Sequence, residues 1–145
     1  MNPDNAMLVL VKQTAQRHGL DPRLVCAVIE QESSWNTYAM RYEPAFCSQY
    51  VIKIPGLTPT QQVARSISWG LMQVMGQTAW ELGYRGDFPA LCVPLNGIEF
   101  GCRKLAPEIA KANGDLQRAL RSYNGGANPN YAGDVLARMK RYESV

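Results

Sequence analysis

Apolar residues recur every three to four positions along most of this chain, which is the spacing of amphipathic helices. One helix begins at Pro22, because Asp21 before it is a favoured N-cap and proline is favoured at the first helical position. Shorter helical segments follow residues 60 and 70. The longer predicted helices cover about residues 7–18, 95–112, 116–123 and 131–142. The chain is therefore predicted to be mostly α.

Residues 36–59 break the helical pattern. Pro44, Pro55, Gly56 and Pro59 interrupt any regular element there, which predicts a long loop or a small hairpin. Within this segment, residues 50–54 alternate well enough to predict a short strand or hairpin arm. A loop of this length inside a compact domain is usually functional.

The composition fits one globular domain over residues 1–145, with 46% hydrophobic and 19% charged residues. A chain of this length buries an adequate core without crosslinks or a metal ion. The four cysteines lack C-x-x-C spacing, and His18 is the only histidine, so we expect neither a metal site nor a cofactor. His18 stands before Gly19 at a helix end, where we expect it to cap or pack.

The charge pattern narrows the choice of partners. The net charge is +3, and more than half of the basic residues lie from Arg103 onward. These residues either cover solvated helix faces or attract an anionic polymer. No Lys/Arg run exceeds two residues, so we do not expect nucleic acid as a partner. The longest apolar run, residues 6–11, is too short to span a membrane and lacks the basic flank of a signal peptide.

Glu32 is the strongest candidate for chemistry. Counted from Pro22, it shares one helix face with the apolar residues Val25, Val28 and Ile29. A carboxyl group on an apolar face is desolvated and its pKa rises, as a general acid near neutral pH requires. The alternative is an ordinary glutamate at a helix end that reaches solvent or caps a neighbour.

Four short blocks extend this interpretation. Residues 32–33 are Glu-Ser, residues 70–75 are Gly-Leu-Met-Gln-Val-Met, residues 123–126 are Tyr-Asn-Gly-Gly, and Tyr131 precedes Val-Leu at 135–136. Their order and spacing resemble those of the lytic transglycosylase (SLT) domain, a relative of goose-type lysozyme. The resemblance spans about residues 20–140 and implies a lysozyme-like, mostly α fold.

The resemblance implies catalytic roles for two residues. Glu32 matches the family's single acid/base, which protonates the glycosidic oxygen and then takes a proton from the muramyl C6 hydroxyl. Tyr131 matches the tyrosine whose hydroxyl bonds that glutamate.

Other matched residues are expected to bind substrate. Ser33 either caps its helix or touches substrate, while Gly70, Met72 and Gln73 are expected to form a cleft wall. Tyr123 and Asn124 match the third block, although an Asn-Gly turn between helices is common on its own. Trp69, beside Gly70, is a candidate for stacking on a sugar.

The segment 36–59 departs from the more compact members of the family. It carries Glu43, a second carboxylate placed eleven residues after Glu32. Glu43 either pairs with Arg41 or another arginine at the rim, or reaches the cleft. In the cleft it would serve as the base of a hydrolytic mechanism.

We therefore expect a peptidoglycan lytic transglycosylase, monomeric, without cofactor, that acts on bacterial glycan strands in the wall or periplasm. A muramidase using Glu32 and Glu43 and an inactive peptidoglycan-binding module are the alternatives. Because no signal peptide is seen, we expect delivery by phage lysis or a secretion-associated route, unless a leader has been removed.

Overall fold

The computed structural model describes residues 2–145, in which the helices enclose a hydrophobic core. The helices are α1 (Asn5–Arg17), α2 (Pro22–Ser33), α3 (Pro44–Phe46), α4 (Pro59–Arg65), α5 (Gly76–Glu81), α6 (Pro94–Lys111), α7 (Leu116–Asn124) and α8 (Tyr131–Met139). Short 3₁₀ turns lie at Phe88–Cys92 and Lys140–Tyr142, and a π-helical turn lies at Cys47–Val51. The predicted mostly α class is confirmed.

Helix α2 lies at the centre of the core. Asp21 is its N-cap and accepts a hydrogen bond from the backbone N–H of Arg23, and Pro22 occupies the first turn, as predicted. Every residue from 24 to 29 is buried. The helix packs against α1 and α8, and α6 packs against α1 and α7. This packing anchors α2 against two other helices, α1 and α8.

A small antiparallel sheet stands beside the helices. Its strands are β1 (Met40–Tyr42), β2 (Ile67–Trp69) and β3 (Val74–Met75), in that order. Arg41 is opposite Ser68, and Ser68 is opposite Met75. Because side chains alternate across a strand, these three residues share one face of the sheet. Trp69 takes the opposite face.

The prediction of a strand at residues 50–54 is wrong. The chain forms a π-helical turn at Cys47–Val51 instead, in which the N–H of Ile52 donates to the carbonyl of Cys47 across 2.9 Å. Tyr50 and Ile52 are exposed and only Val51 is buried between them, so the apolar alternation does not mark a sheet face. The strand within residues 36–59 is β1 instead, and it pairs with β2.

The later helices match the predicted segments closely. The last predicted helix, 131–142, ends at Met139 and tightens into the 3₁₀ turn. His18 is the C-cap of α1, and its Nε2 lies 2.6 Å from Oε2 of Glu99 on α6. Among residues 2–145, no helix combines the length and apolarity needed to cross a membrane.

Candidate active site

A cavity of about 470 Å³ opens where α2, α6, α7 and one face of the sheet meet. Its lining combines two carboxyl groups, an amine, two amide side chains and two aromatic rings. The lining residues are Glu32, Arg41, Glu43, Phe46, Ser68, Gln73, Met75, Lys104, Tyr123, Asn124 and Ala127. Five of the residues predicted from sequence are therefore brought to one site: Glu32, Glu43, Gln73, Tyr123 and Asn124.

Glu32 sits in the last turn of α2, directly after the buried face. Val25, Val28 and Ile29 are all 0% exposed, so the helix that positions the carboxyl is anchored in the core. Burial raises the pKa of Glu32, whereas the hydrogen bond from Tyr131 and the charge of Lys104 lower it, and the net shift is upward. The protonated, proton-donating form therefore persists to higher pH than in a free glutamate.

Tyr131 begins helix α8 and reaches across to α2. Its hydroxyl donates to Oε1 of Glu32 across 2.7 Å, and the ring is 3% exposed. Burial and the nearby Glu32 raise the pKa of Tyr131, so its hydroxyl stays protonated and serves as a fixed donor. This bond holds the Glu32 carboxyl group in one orientation. The Tyr131 hydroxyl bonds only Oε1 and leaves Oε2 unbonded by this donor.

Lys104 is a member of the site that the sequence reasoning missed. Its Nζ donates to the carbonyl of Tyr123 across 2.9 Å and lies 4.0 Å from the centroid of that ring. Burial lowers the pKa of Lys104, while Glu32 and Glu108 act to raise it. The sequence does indicate its position: Lys104 follows the buried residues Phe100 and Gly101 at helical spacing, so it lies on the buried face of α6.

The amide side chains of the cavity differ in what they can offer a ligand. Gln73 is fully engaged: its Oε1 accepts from Ser68 Oγ, and its Nε2 donates to the carbonyls of Ala39 and Gly70. Asn124, in contrast, has a buried Nδ2 without a hydrogen-bond partner. A buried donor of this kind is costly unless a ligand or water satisfies it.

The second carboxylate, Glu43, follows β1 directly and lines the cavity. Arg41 Nε is 3.0 Å from Glu43 Oε1, so the predicted pairing at the rim is present. Glu43 nevertheless borders the same cavity as Glu32, together with Phe46 from the π-turn segment. Phe46 and Ser68 were not predicted as members of the site, because their convergence depends on the pairing of β1 with β2.

Two residues predicted to contact substrate, Met72 and Trp69, lie outside the cavity lining. Met72 is 0% exposed, and its side chain packs so closely on Gly101 that a Cβ there would meet its Sδ at 2.2 Å. Trp69 is 5% exposed, and its indole N–H donates to the carbonyl of Ala64. Trp69 borders a different depression, on the far face of the sheet.

Gly70 and Ser33 have structural partners instead of a place in the cavity lining. Gly70 takes a φ of +71°, and a Cβ there would lie 2.6 Å from the carbonyl oxygen of Leu91, so the close approach is to the protein's own backbone. The Ser33 hydroxyl lies 3.0 Å from the carbonyl oxygen of Ile29 and 2.9 Å from that of Leu71, and its single hydrogen is shared between these two acceptors. The alternative interpretation of Ser33, capping the helix end, matches this geometry.

Tyr123 holds other residues of the site in place. Its hydroxyl donates to the carbonyl of Met72 across 2.7 Å, and the side chain is 3% exposed. Its ring and carbonyl hold Lys104, so it contributes more to positioning than to ligand contact. Within residues 2–145, no group of three or more His, Cys, Asp or Glu side chains is arranged to hold a metal ion.

Comparison with known proteins identifies the family. The family model of the transglycosylase SLT domain matches residues 9–138. The membrane-bound lytic murein transglycosylases C of Yersinia pestis and Yersinia pseudotuberculosis are each 31% identical over 134 residues, covering 83% of this chain and 31% of theirs. The chain thus spans about a third of the length of these curated relatives.

A solved structure shares the fold. An inactive mutant of the lytic transglycosylase Slt from Pseudomonas aeruginosa matches with a TM-score of 0.59 at 21% identity, over 87% of this chain and 17% of that one. The lysozyme-like fold predicted from the four sequence blocks is thereby confirmed. Because the family model covers most of its length, the chain belongs to the transglycosylase SLT domain family.

Proposed function

We propose that this chain is the catalytic domain of a peptidoglycan lytic transglycosylase, which cleaves the β-1,4 bond between N-acetylmuramic acid and N-acetylglucosamine. Membership of the SLT family and the similarity to lytic murein transglycosylases support the reaction class. The observation that carries the proposal is the Glu32 carboxyl, held by Tyr131 at 2.7 Å in a cavity and biased toward its protonated form.

Glu32 supplies the first proton transfer. Its carboxyl donates a proton to the bridging oxygen as the bond from that oxygen to the muramyl C1 breaks, which releases the N-acetylglucosamine side as an alcohol. The muramyl ring is left with positive charge at C1 and its ring oxygen, beside the new Glu32 carboxylate. Tyr131 and Lys104 stabilise that carboxylate at this stage, as the directions of their effects on its pKa indicate.

The second step closes a ring. The muramyl C6 hydroxyl oxygen attacks C1, and the Glu32 carboxylate takes the hydroxyl proton, so the acid is regenerated and no water is consumed. One glutamate thus acts as acid and then as base. The product ends in 1,6-anhydro-N-acetylmuramic acid.

Asn124 is the residue best placed to hold the substrate. Asn124 lines the cavity, and its buried Nδ2 has no hydrogen-bond partner. We assign to it an oxygen acceptor of the substrate, such as the carbonyl of an N-acetyl group, which would satisfy the buried donor. Gln73, whose hydrogen bonds are all internal, is assigned the role of shaping the wall.

A muramidase remains the second candidate because Glu43 borders the same cavity as Glu32. In that reaction Glu43 would activate a water molecule, and the product would carry a reducing end. The ion pair with Arg41 argues against this role, because the guanidinium already occupies one oxygen of the Glu43 carboxylate. We therefore favour the reaction that uses Glu32 alone.

The proposal has a direct test. Purified chain is incubated with peptidoglycan sacculi, and the fall in turbidity and the masses of the released glycans are measured. Anhydro ends support the lytic transglycosylase, and reducing ends support the muramidase. Sacculi that stay intact with the parent chain would indicate a binding module. We place the site of action at the cell wall or periplasm, where this substrate lies.

A further inference from the structure

A second cavity, of about 870 Å³, lies between α4, α5 and the 3₁₀ turn at Phe88–Cys92. It shares no lining residue with the cavity at Glu32. Arg65, Trp80 and Phe88 form its walls, with Pro89 and Ala90 beside them. The reaction proposed above uses none of these residues.

Arg65 is the unusual feature of this cavity. It is the last residue of α4 and only 8% exposed. Its Nη1 donates to Gln77 Oε1 across 2.9 Å, but Nε is buried without a partner and Nη2 makes no hydrogen bond. No carboxylate among residues 2–145 pairs with this guanidinium. A buried cation without an anion is costly, so the site is electrostatically incomplete.

The surrounding groups stabilise the cation only in part. The Arg65 guanidinium carbon lies 4.4 Å from the centroid of Trp80 and 5.7 Å from that of Phe88. Ring faces of this kind attract a cation but accept nothing from its in-plane N–H groups. Arg85 adds a second guanidinium 3.7 Å from the Trp80 centroid. Burial and the charge of Arg85 both lower the pKa of Arg65.

A carboxylate fits the unpaired edge of the Arg65 guanidinium. Nε and Nη2 form the side of a guanidinium that grips a carboxylate with two parallel bonds. Arg23 uses this same edge on Asp21, with Nε and Nη2 at 3.1 and 2.7 Å from Oδ2. Asp87 also borders the Arg65 cavity, but it is exposed and does not pair with Arg65.

We propose that this cavity binds a carboxylate carried on a small apolar group, with the carboxylate on the Nε–Nη2 edge of Arg65 and the apolar group against Trp80 and Phe88. Alanyl carboxylates that end the peptide stems of peptidoglycan have this chemistry. The identity of the ligand rests on the proposed function, whereas the preference for a carboxylate rests on Arg65 alone. Because Nε is itself buried, a bond from Nε to this carboxylate requires the Arg65 side chain to move.

Binding is measured by calorimetry and by the indole signal of Trp80 in nitrogen-correlated NMR spectra, using the full chain. The probes are N-acetyl-D-alanyl-D-alanine, its C-terminal amide and N-acetyl-L-alanyl-L-alanine. We expect the D,D acid to bind at least about tenfold more tightly than the amide. Equal binding of acid and amide, or none at about 10 mM, would overturn the site. Preference for the L,L acid would overturn the assignment to wall peptides.

Variants make the assignment specific. Arg65→Gln removes the charge and Arg65→Lys keeps it without the fork, so both should weaken binding of the D,D acid by about tenfold or more. Asp87→Asn removes a repelling carboxylate from the exposed rim and should strengthen binding about two- to fivefold. Arg23→Gln, at an arginine that is already paired, is the matched control and should leave binding unchanged.

The Asp87 variant keeps the test decisive if Arg65 variants fail to fold, because no folding defect produces a gain in affinity. Unchanged or weaker binding by Asp87→Asn would contradict the proposal. The binding assay involves no turnover. If the chain releases anhydro products but binds no alanyl carboxylate, only the Arg65 site is refuted. If it binds the alanyl carboxylate but releases no anhydro products, only the proposed reaction is refuted.

Discussion

The hydroxyl of Tyr131 donates to Oε1 of Glu32 across 2.7 Å, which joins two residues that are 99 positions apart in the chain. The bond ties the first residue of α8 to the last turn of α2. Both helices are anchored in the core, since Val28 on α2 and Val135 on α8 are 0% exposed. The fold therefore fixes this carboxyl before any substrate arrives, and that is the basis of the predictions below.

Glu32→Gln should preserve the fold and reduce lysis of sacculi by about a thousandfold or more, because the proposed acid is lost. The pKa of Glu32 is raised above its ordinary value of 4.5, so ionisation of this group destabilises the folded state as pH rises past that value. Glutamine does not ionise, so the variant avoids this loss of folding stability and should be at least as stable as the parent at pH 7. Thermal unfolding and turbidity assays measure the two effects. Lysis within tenfold of the parent would exclude Glu32 as the acid.

Tyr131→Phe should lower the rate by about 10- to 100-fold, since one hydrogen bond to a charged group is worth about 1.5–3 kcal/mol. The bond from Tyr131 lowers the pKa of Glu32, so its removal should move the alkaline side of the pH–rate profile to higher pH. Steady-state rates across the pH range measure both changes. A parent-like rate and profile would mean that Tyr131 only packs against Glu32.

Lys104→Met should also move the alkaline side of the profile upward, by up to about one pH unit, because a positive charge near Glu32 disappears. Lys111→Met is the matched control on the same helix, since its side chain is 73% exposed and pairs with Glu108 outside the cavity. The control should leave the profile unchanged. Identical profiles for both variants and the parent would show that Lys104 does not act on the acid.

The cysteines should titrate as four free thiols under denaturing, non-reducing conditions, as the structure has them. In the native protein Cys26 and Cys102 should react slowly, because both are 0% exposed and burial raises the pKa of each thiol to about 12. Cys47 and Cys92, which are partly exposed, should react first. Thiol titration with and without denaturant checks this; absence of free thiols in freshly purified protein would indicate disulfides.

The helices and the position of Glu32 could be predicted from sequence because both depend on local spacing. An apolar face that repeats every three to four residues identifies α2 and the side on which Glu32 lies. The π-helical turn at Cys47–Val51 could not be predicted in this way. Its i→i+5 hydrogen bonds have no distinct apolar period, and the exposed Tyr50 and Ile52 imitate a strand.

The cavity wall was harder to predict than the acid. Met72 and Gln73 are adjacent, but Gln73 takes a φ of +49°, which sends successive side chains in directions that neither helix nor strand spacing predicts. Lys104 was missed for another reason: a lysine is ordinarily exposed, so its place on the buried face of α6 suggested no role. Trp69 was misplaced because β2 turns it away from Ser68, across the sheet.

The identity of the glycan product tests the central claim most directly. Parent and Glu43→Gln chains are incubated with intact sacculi, and the ends of the released glycans are identified by mass spectrometry. If Glu32 acts alone, both proteins release glycans that end in 1,6-anhydromuramic acid, one water lighter than the hydrolysed species, and Glu43→Gln changes the rate by no more than about threefold. Reducing ends as the main product, with Glu43→Gln nearly as inactive as Glu32→Gln, would contradict the account and identify a muramidase that uses both carboxylates.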